Sequence, residues 1–250
     1  MTIEKKSILI QMAKPESKTK SNLHVKFARN IGERILLGEF LPGGLLPNEA
    51  AWGKAFGASR TVVREALKTL MAKGLIESRP KIGSRVLPRT MWNILDRDVL
   101  EWHHAAVDRH AFIKSTQEVR RLVEPGVALL AAQKRTRSQL ARLQDALTAM
   151  KKAKSTAEAV LADVEFHESL MAAANNELLL PFGIIIEKAL GNLFDFTTTL
   201  NPSPKTAIKL HERVLLAVAS SNGVAASKAM HALLDDTDEL ITKPTRKTKN

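Results

Sequence analysis

The sequence has 250 residues, of which 44% are hydrophobic and 26% are charged, as is usual for a soluble globular protein of one large or two modest domains. It contains no cysteine, which excludes disulfide bridges, cysteine-based zinc fingers and a thiol nucleophile. Its apolar runs are too short for a signal-peptide core or a membrane span, so we expect a cytoplasmic protein with no membrane partner.

The net charge of +12 is concentrated at the amino-terminal end. Residues 1–90 hold 17 basic and 7 acidic side chains, a net charge of +10, whereas residues 91–250 hold 21 basic and 19 acidic ones. Residues 1–20 are lysine-rich and predict a flexible basic arm, and residues 243–250 form a basic tail. A segregated basic end favours a polyanionic partner such as nucleic acid, although a tail that only aids solubility would look the same.

Residues 21–88 carry three helical segments followed by two short extended runs. Apolar residues recur with a helical period from Ser21 to Leu37, Glu49–Phe56 predicts a second helix, and Ser59 caps a third that stops at Gly74. The next segment holds a proline and glycine turn between two extended runs, which predicts a hairpin. This order of elements is typical of a winged helix-turn-helix, a DNA-binding fold.

The third helix offers hydroxyl and guanidinium groups on its first turns, where DNA-reading helices contact bases and phosphates. With two positions from the wing, the predicted DNA-binding residues are Ser59, Arg60, Thr61, Arg64, Lys81 and Gly83. The partner we expect is double-stranded DNA. Because one winged helix reads few base pairs, we expect a homodimer on a short inverted-repeat operator.

Residues 89–107, with Trp92 and Trp102 as packing anchors, predict a linker and junction helix. Residues 108–242 have a helical pattern to their end. The pattern breaks near positions 107–110, 134–137, 154–156, 175–176, 201–204 and 222–223. Six or seven helices with short connections indicate an antiparallel bundle. The predicted fold class is therefore mainly α, a winged helix-turn-helix with a small β wing followed by an all-helical bundle.

Four side chains of the helical region could bind one metal ion: Asp163, His167, His211 and His231. Asp163 and His167 are four residues apart and share a helix face. Three imidazoles and one carboxylate suit zinc, nickel, iron or manganese, with coordination positions left open for a ligand. The spacing alone favours an accidental pattern in which the histidines are surface or packed residues.

Several of these residues carry a resemblance to the GntR superfamily of bacterial regulators. The matching strings are GGLLPNE (43–49), GASRTVVREAL (57–67), GLI (74–76) and GSRV (83–86). The chain departs from the family at Ala50, where many members have an arginine that touches bases. The family's operator sequence therefore cannot be transferred to this chain.

The helical remainder resembles the FCD ligand domain of the FadR subfamily, through RRLVEP (120–125), the D-x-x-x-H of Asp163 and His167, and two later histidines. With WNILDRDVLEW (92–102), it is most similar to repressors of sugar-acid catabolism, of the D-galactonate-responsive kind. The resemblance implies a divalent metal ion, zinc first, at the four ligands named above. It also implies a carboxylate effector held by Arg120 through two parallel hydrogen bonds. The alternative for Arg120 is an ion pair with Glu124 on a solvated helix face.

The leading hypothesis is a dimeric repressor that a sugar acid releases from its operator, with lactate or a dicarboxylate as the alternative effector. A metal-dependent hydrolase that uses the three histidines and Asp163 is the rival from another class. The sequence contains no phosphate-binding glycine loop, G-x-S-x-G or H-E-x-x-H motif, so we expect no enzyme. A ligand-independent architectural DNA binder is a third hypothesis, and the large helical domain argues against it.

Overall fold

The computed structural model describes residues 21–197 and 204–242. The chain divides after Ala106 into two compact units, Met1–Ala106 and Val107–Asn250. Each unit has its own apolar core. The basic arm and the basic tail that the sequence predicts at residues 1–20 and 243–250 lie outside the described residues.

The first unit contains, among its described residues, three helices, a hairpin and a final helix. In chain order they are α1 (Ser21–Leu36), α2 (Glu49–Phe56), α3 (Arg60–Ala72), β1 (Ile76–Arg79), β2 (Gly83–Val86) and, after a short 3-10 turn, α4 (Arg97–Ala106). The two strands pair antiparallel, from Ile76 opposite Val86 to Arg79 opposite Gly83. This order confirms the predicted winged helix-turn-helix.

Polar caps and a glycine set the ends of α2 and α3. The Asn48 side chain accepts a hydrogen bond from the Ala51 amide at 2.8 Å, and the Ser59 hydroxyl accepts one from the Val62 amide at 3.4 Å. Gly57 ends α2 with a φ of 60°, a left-handed conformation that glycine adopts without strain. The side chains that α3 buries are Val63, Ala66, Leu67 and Leu70. The opposite face of α3 is left in solvent.

Helix α4 packs onto the rest of the first unit, in a region where the sequence predicts a linker and junction helix. Trp102 is buried, and its ring approaches α1 so closely that a Cβ atom on Gly32 would lie 2.3 Å from the Trp102 Cε3 atom. The ammonium of Lys73, at the end of α3, lies 2.6 Å from the Asp96 carboxylate just before α4. Both contacts tie α4 to the DNA-binding fold.

The second unit is a bundle of helices joined by short connections. Its elements are α5 (Arg109–Lys134), α6 (Arg137–Lys152), α7 (Thr156–Ala173), a 3-10 segment (Glu177–Phe182), α8 (Gly183–Thr197), α9 (Pro204–Ala219) and α10 (Gly223–Thr242). Helix α5 packs on α10, α6 on α7, and α9 on α10. None of the described helices combines the length and the apolar character that crossing a bilayer requires.

Helix α7 lies in the interior of this bundle and brings polar groups with it. Phe166 and Leu170 are almost fully buried in the apolar core. The same helix buries Asp163 and His167, whose charges or polar atoms need partners in a low-dielectric interior. The packing of the second unit therefore leads directly to a candidate site.

Gly32→Ala should lower the free energy of unfolding of the first unit by about 1–3 kcal/mol, because the added methyl group forces the packed Trp102 ring to shift. Urea denaturation followed by tryptophan fluorescence measures the change. Gly126→Ala, in α5 of the second unit, is the control: a Cβ atom there meets no atom within 4 Å, and the unfolding that the first-unit tryptophans report should be unaltered. Equal stability of the Gly32→Ala variant and the unaltered protein would contradict the close packing of α1 and α4.

Candidate functional site

The amino-terminal turns of α3 present all four residues predicted there to solvent. Ser59, Arg60, Thr61 and Arg64 are exposed, while Val63 faces the core. The Ser59 hydroxyl oxygen accepts the capping hydrogen bond from the Val62 amide, so the O–H group remains to donate to a partner. Within the described residues, the Arg60 side chain forms no ion pair, and its full charge is available to an anion.

The guanidinium of Arg64 has a fixed acidic partner on the neighbouring helix. Its Nε atom donates to Glu49 Oε1 at 3.3 Å, and its Nη2 atom donates to Glu49 Oε2 at 3.1 Å. Glu49 is the first residue of α2 and belongs to the string that resembles the GntR superfamily, but the sequence alone predicts no role for it. Only the fold, which places α2 beside α3, brings the two side chains together.

The wing supplies the two remaining predicted residues. Lys81 is exposed in the turn that joins β1 to β2, and Gly83 is the exposed first residue of β2. Lys81 has a φ of 65°, a left-handed conformation that a non-glycine residue seldom adopts, and Gly83 has a φ of 103°. The turn thus projects one ammonium group at the end of the hairpin.

A second site lies inside the helical unit, where three predicted metal ligands meet. Asp163 and His167 come from α7 and His211 comes from α9, and all three are buried. Asp163 Oδ1 lies 2.8 Å from His211 Nε2 and 3.6 Å from His167 Nε2, and the two Nε2 atoms are 3.4 Å apart. Three possible ligand atoms therefore converge on one point.

The other ring nitrogen of each histidine faces an acceptor. His167 Nδ1 lies 2.7 Å from Glu124 Oε2, and His211 Nδ1 lies 2.8 Å from the Ala207 carbonyl oxygen. An acceptor at that distance favours the tautomer with the proton on Nδ1, because a lone pair there would repel it. The Nε2 lone pair of His167 then faces His211 and Asp163, whereas His211 has a close acceptor at both ring nitrogens, the Ala207 oxygen and Asp163 Oδ1.

This convergence fits a bound cation. Ligand atoms about 2.1 Å from a tetrahedral zinc ion are about 3.4 Å apart, close to the separation of the two Nε2 atoms. The buried Asp163 Oδ1 faces both imidazoles, at 2.8 Å from His211 Nε2 and 3.6 Å from His167 Nε2. Burial alone would raise the pKa of Asp163, but His211 and His167 hold it below its ordinary value. The carboxylate is therefore ionised and suited to a metal ion.

His231 is not part of this cluster, although the sequence predicts it as the fourth ligand. It is exposed on α10, whereas Met230 and Leu233 are buried. At about 100° per residue, the buried residues of α10 share one face of the helix, and His231 lies about 100° around the helix from the middle of that face. The prediction is therefore corrected: the buried face of α10 brings leucine and methionine side chains into the bundle, and its histidine lies outside.

Arg120 is buried in the second unit and is paired with Glu124. Its Nε atom donates to Glu124 Oε1 at 2.6 Å, and only 2% of the arginine side chain is exposed. The alternative that the sequence left open, an Arg120–Glu124 pair, is thus present, but in the bundle interior and not on a solvated face. The neighbouring Arg121 instead forms surface ion pairs with Asp235 and Asp238.

Glu124 connects Arg120 to the histidine cluster, a position that the sequence analysis did not assign to it. One oxygen accepts from Arg120 and the other lies beside His167. Burial alone would raise the pKa of Glu124, but the charge of Arg120, with His167, lowers it to about 2. A carboxylate beside a metal-binding histidine fixes the orientation of the ring and raises its basicity. The R-x-x-x-E spacing places both side chains on one face of α5, but the burial that gives Glu124 this role depends on packing against α7.

Two family profiles match the chain: "Bacterial regulatory proteins, gntR family" over residues 25–86 and "FCD domain" over residues 116–236. The HTH-type transcriptional regulator YieP of Escherichia coli is 35% identical over 87% of this chain and 95% of its own length. The galactonate operon transcriptional repressor of the same organism is 35% identical over 80% of this chain and 88% of its own length. The HTH-type transcriptional regulator LutR of Bacillus subtilis is 34% identical over 82% of this chain and 94% of its own length.

Solved structures show the same fold at low sequence identity. A structure of Lar, described as controlling expression of the Listeria monocytogenes agr system, matches with a TM-score of 0.58 and 18% identity. That match covers 86% of this chain and 95% of Lar. The Streptococcus agalactiae GntR structure matches with a TM-score of 0.50 and 23% identity, over 87% of this chain and 99% of that one.

Glu124→Gln should lower the free energy of unfolding by about 3–5 kcal/mol, because it leaves the Arg120 charge buried without its counter-charge. Urea denaturation monitored by circular dichroism gives the value. Asp235→Asn is the matched control: it removes one partner of the half-exposed Arg121 and should cost less than about 1 kcal/mol. Similar losses in the two variants would mean that the Arg120–Glu124 pair is solvated in the folded protein.

Proposed function

Because this chain belongs to the gntR family of bacterial regulatory proteins and carries its FCD domain, we propose that it is a repressor released from its operator by a small carboxylate. The observation that carries the proposal is the buried cluster of Arg120, Glu124, Asp163, His167 and His211 inside the helical unit. Polar interiors of this kind are costly to stability and are suited to a polar ligand.

The family and the relatives are transcriptional regulators, so the chain is not an enzyme, as the sequence predicted. The hydrolase hypothesis and the architectural DNA binder are both set aside for the same reason. We place the regulatory role in the cytoplasm, where a bacterial operator is found.

We assign operator binding to the exposed face of α3 and to the wing. Arg60 and Arg64 would contact base edges, while Ser59, Thr61 and Lys81 would contact phosphates, and Gly83 would let the wing approach the backbone closely. A homodimer on a short inverted repeat follows from the small footprint of one winged helix. Ala50 is exposed on α2 and cannot supply the base contact that an arginine makes there in many family members.

We assign divalent-metal binding to Asp163, His167 and His211, with zinc as the first candidate and nickel, iron or manganese as alternatives. Such an ion, when bound, offers open coordination positions to a carboxylate and an adjacent hydroxyl. Glu124 would keep the His167 ring in its binding orientation, and the Nη groups of Arg120 would hold the carboxylate of the effector. The buried arginine and the cation-binding donor set both favour an acid as the effector.

Among carboxylates, we favour a sugar acid. The galactonate operon repressor is similar to this chain over 88% of its own length. A sugar acid carries a carboxylate beside a hydroxyl, the pair of groups that can occupy two open positions of a metal ion. Lactate has the same pair of groups without the further hydroxyls, and a dicarboxylate has a second charge that would need a second cation.

The purified protein should contain about one divalent ion per chain, held by three protein ligands and not four. His167→Ala and His211→Ala should each lose the ion, whereas His231→Ala, the matched histidine control on the exposed side of α10, should keep it. Elemental analysis and the melting temperature with and without a chelator measure the effect, since an ion bound only to the folded state raises that temperature. Loss of the ion in His231→Ala would restore the four-ligand set.

A sugar acid should release the protein from its operator, and the release should depend on the fork of donors on Arg120. A tenfold weakening of operator binding corresponds to a coupling of about 1.4 kcal/mol, within the usual range for allosteric proteins. The measurement is a titration of a preformed protein–operator complex with sugar acids, dicarboxylates and lactate. Arg120→Lys keeps the buried charge but not the planar fork, so this variant should bind operator and resist release.

If only lactate or a dicarboxylate releases the protein, that acid is the effector in place of a sugar acid, and the regulatory role stands. Normal release of Arg120→Lys would exclude the bidentate contact. The surface variant Arg121→Lys is the control, because Arg121 pairs with Asp235 and Asp238 outside the cluster and should release normally.

A further inference from the structure

We propose that Glu49 is a specificity-determining residue of the DNA-binding surface, which orients the guanidinium of Arg64 for a base edge and lowers its attraction to phosphate. The inference rests on the proposed role of α3 in operator binding. It is carried by one juxtaposition: Glu49, on the first turn of α2, forms two hydrogen bonds to Arg64 on α3.

Both ends of this pair are anchored to the fold. Asn48 caps α2 immediately before Glu49, so the backbone of the acidic residue is fixed. Arg64 follows the buried Val63, whose packing fixes the rotation of α3 at this turn. The pair therefore joins two helices whose relative position is set by the core and not by the pair itself.

The contact uses only one edge of the guanidinium. An arginine has five N–H donors in a planar fork, and Glu49 accepts from the Nε and Nη2 atoms. The second Nη2 hydrogen and both Nη1 hydrogens remain, and they form the end-on fork that matches O6 and N7 of guanine. The Arg64 side chain is 62% exposed, so this remaining fork is accessible to a DNA groove.

The pair also changes the charge that DNA meets. Arg64 and Glu49 together are neutral, whereas Arg60, at the start of the same helix, has no ion-pair partner within the described residues. Attraction to phosphate depends on net charge and is independent of sequence, whereas a base contact depends on the direction of the donors. A neutral, oriented Arg64 thus loses non-specific attraction and keeps its ability to discriminate bases.

Folding stability explains the Arg64–Glu49 pair less well than the orientation of Arg64 for a base does. Exposed ion pairs contribute little to folding because both charges are well solvated. A bidentate geometry, by contrast, restricts the side chain to one arrangement before DNA arrives, and it reduces the entropy lost on binding. The effect of Glu49 should therefore appear in base preference and not in the melting temperature.

The test compares the full-length protein with Glu49→Gln, using a duplex that the unaltered protein selects from a randomised pool and a random duplex of equal length. Glu49→Gln should lose roughly tenfold preference at one base pair of each half-site. Binding to the random duplex should be equal or tighter, with a salt dependence steeper by about one counterion. The control is Glu39→Gln, which removes the acidic partner of Arg34 with the same change in net charge and should leave base preference unaltered.

Arg64→Gln identifies the base pair in question, because it should abolish preference at that position. In the Arg64→Gln background, Glu49→Gln should have no further effect there. Unaltered preference at every position in Glu49→Gln, with Arg64→Gln defective, would overturn the role of Glu49 and leave the proposed function standing. If Arg64→Gln also keeps its preference, Arg64 is not a base contact and the role of Glu49 fails with it. If the unaltered protein selects no sequence, the role of α3 in operator binding fails as well.

Discussion

The buried carboxylate of Glu124 makes the contacts on which the interior of the helical unit depends. It accepts a hydrogen bond from Arg120 on its own helix and lies beside His167 on α7, so it joins a permanent cation to an imidazole in a dry environment. Two charges in such an interior cost more to desolvate than their attraction returns, unless the geometry is good. Apolar side chains of similar volume would stabilise the bundle at least as well. The charged groups are therefore explained better by a ligand than by stability.

The two units use charged pairs in opposite ways. In the helical unit the Arg120–Glu124 pair is almost completely excluded from water, and either partner alone would be a buried, uncompensated charge. In the winged helix-turn-helix the Arg64–Glu49 pair is open to solvent, and either partner alone remains hydrated. The buried pair requires both of its side chains, because neither charge is stable in the core without the other. The exposed pair leaves stability almost unaffected and acts on the orientation of a donor, which is what base recognition requires.

The local features of the fold could be predicted from the sequence, because short-range chemistry determines them. Ser59 caps α3 through its own side chain, and Gly57 ends α2 by adopting a left-handed conformation. The role of Glu124 could not be predicted in this way, since its burial depends on α7, more than thirty residues farther along the chain. His231 failed for another reason. A histidine on a late helix fits the ligand pattern by its position in the chain, whereas the buried neighbours Met230 and Leu233 decide which face of α10 enters the bundle.

The absence of His231 from the cluster changes how a ligand can act on the bundle. Within the described residues the converging donor atoms come from α7 and α9, while α5 contributes the Arg120–Glu124 pair. Helix α10 approaches this region differently, through a hydrogen bond from the Gln117 side chain to the Leu234 carbonyl oxygen. A carboxylate held by the Arg120 Nη groups and by an ion at the histidines would link α5 to α7 and α9, while Glu124 keeps its hydrogen bond from Arg120 Nε. Because α10 contributes no ligand atom to the described cluster, such a carboxylate would act on the packing of α5, α7 and α9 and leave the hydrogen bond from Gln117 to Leu234 in place.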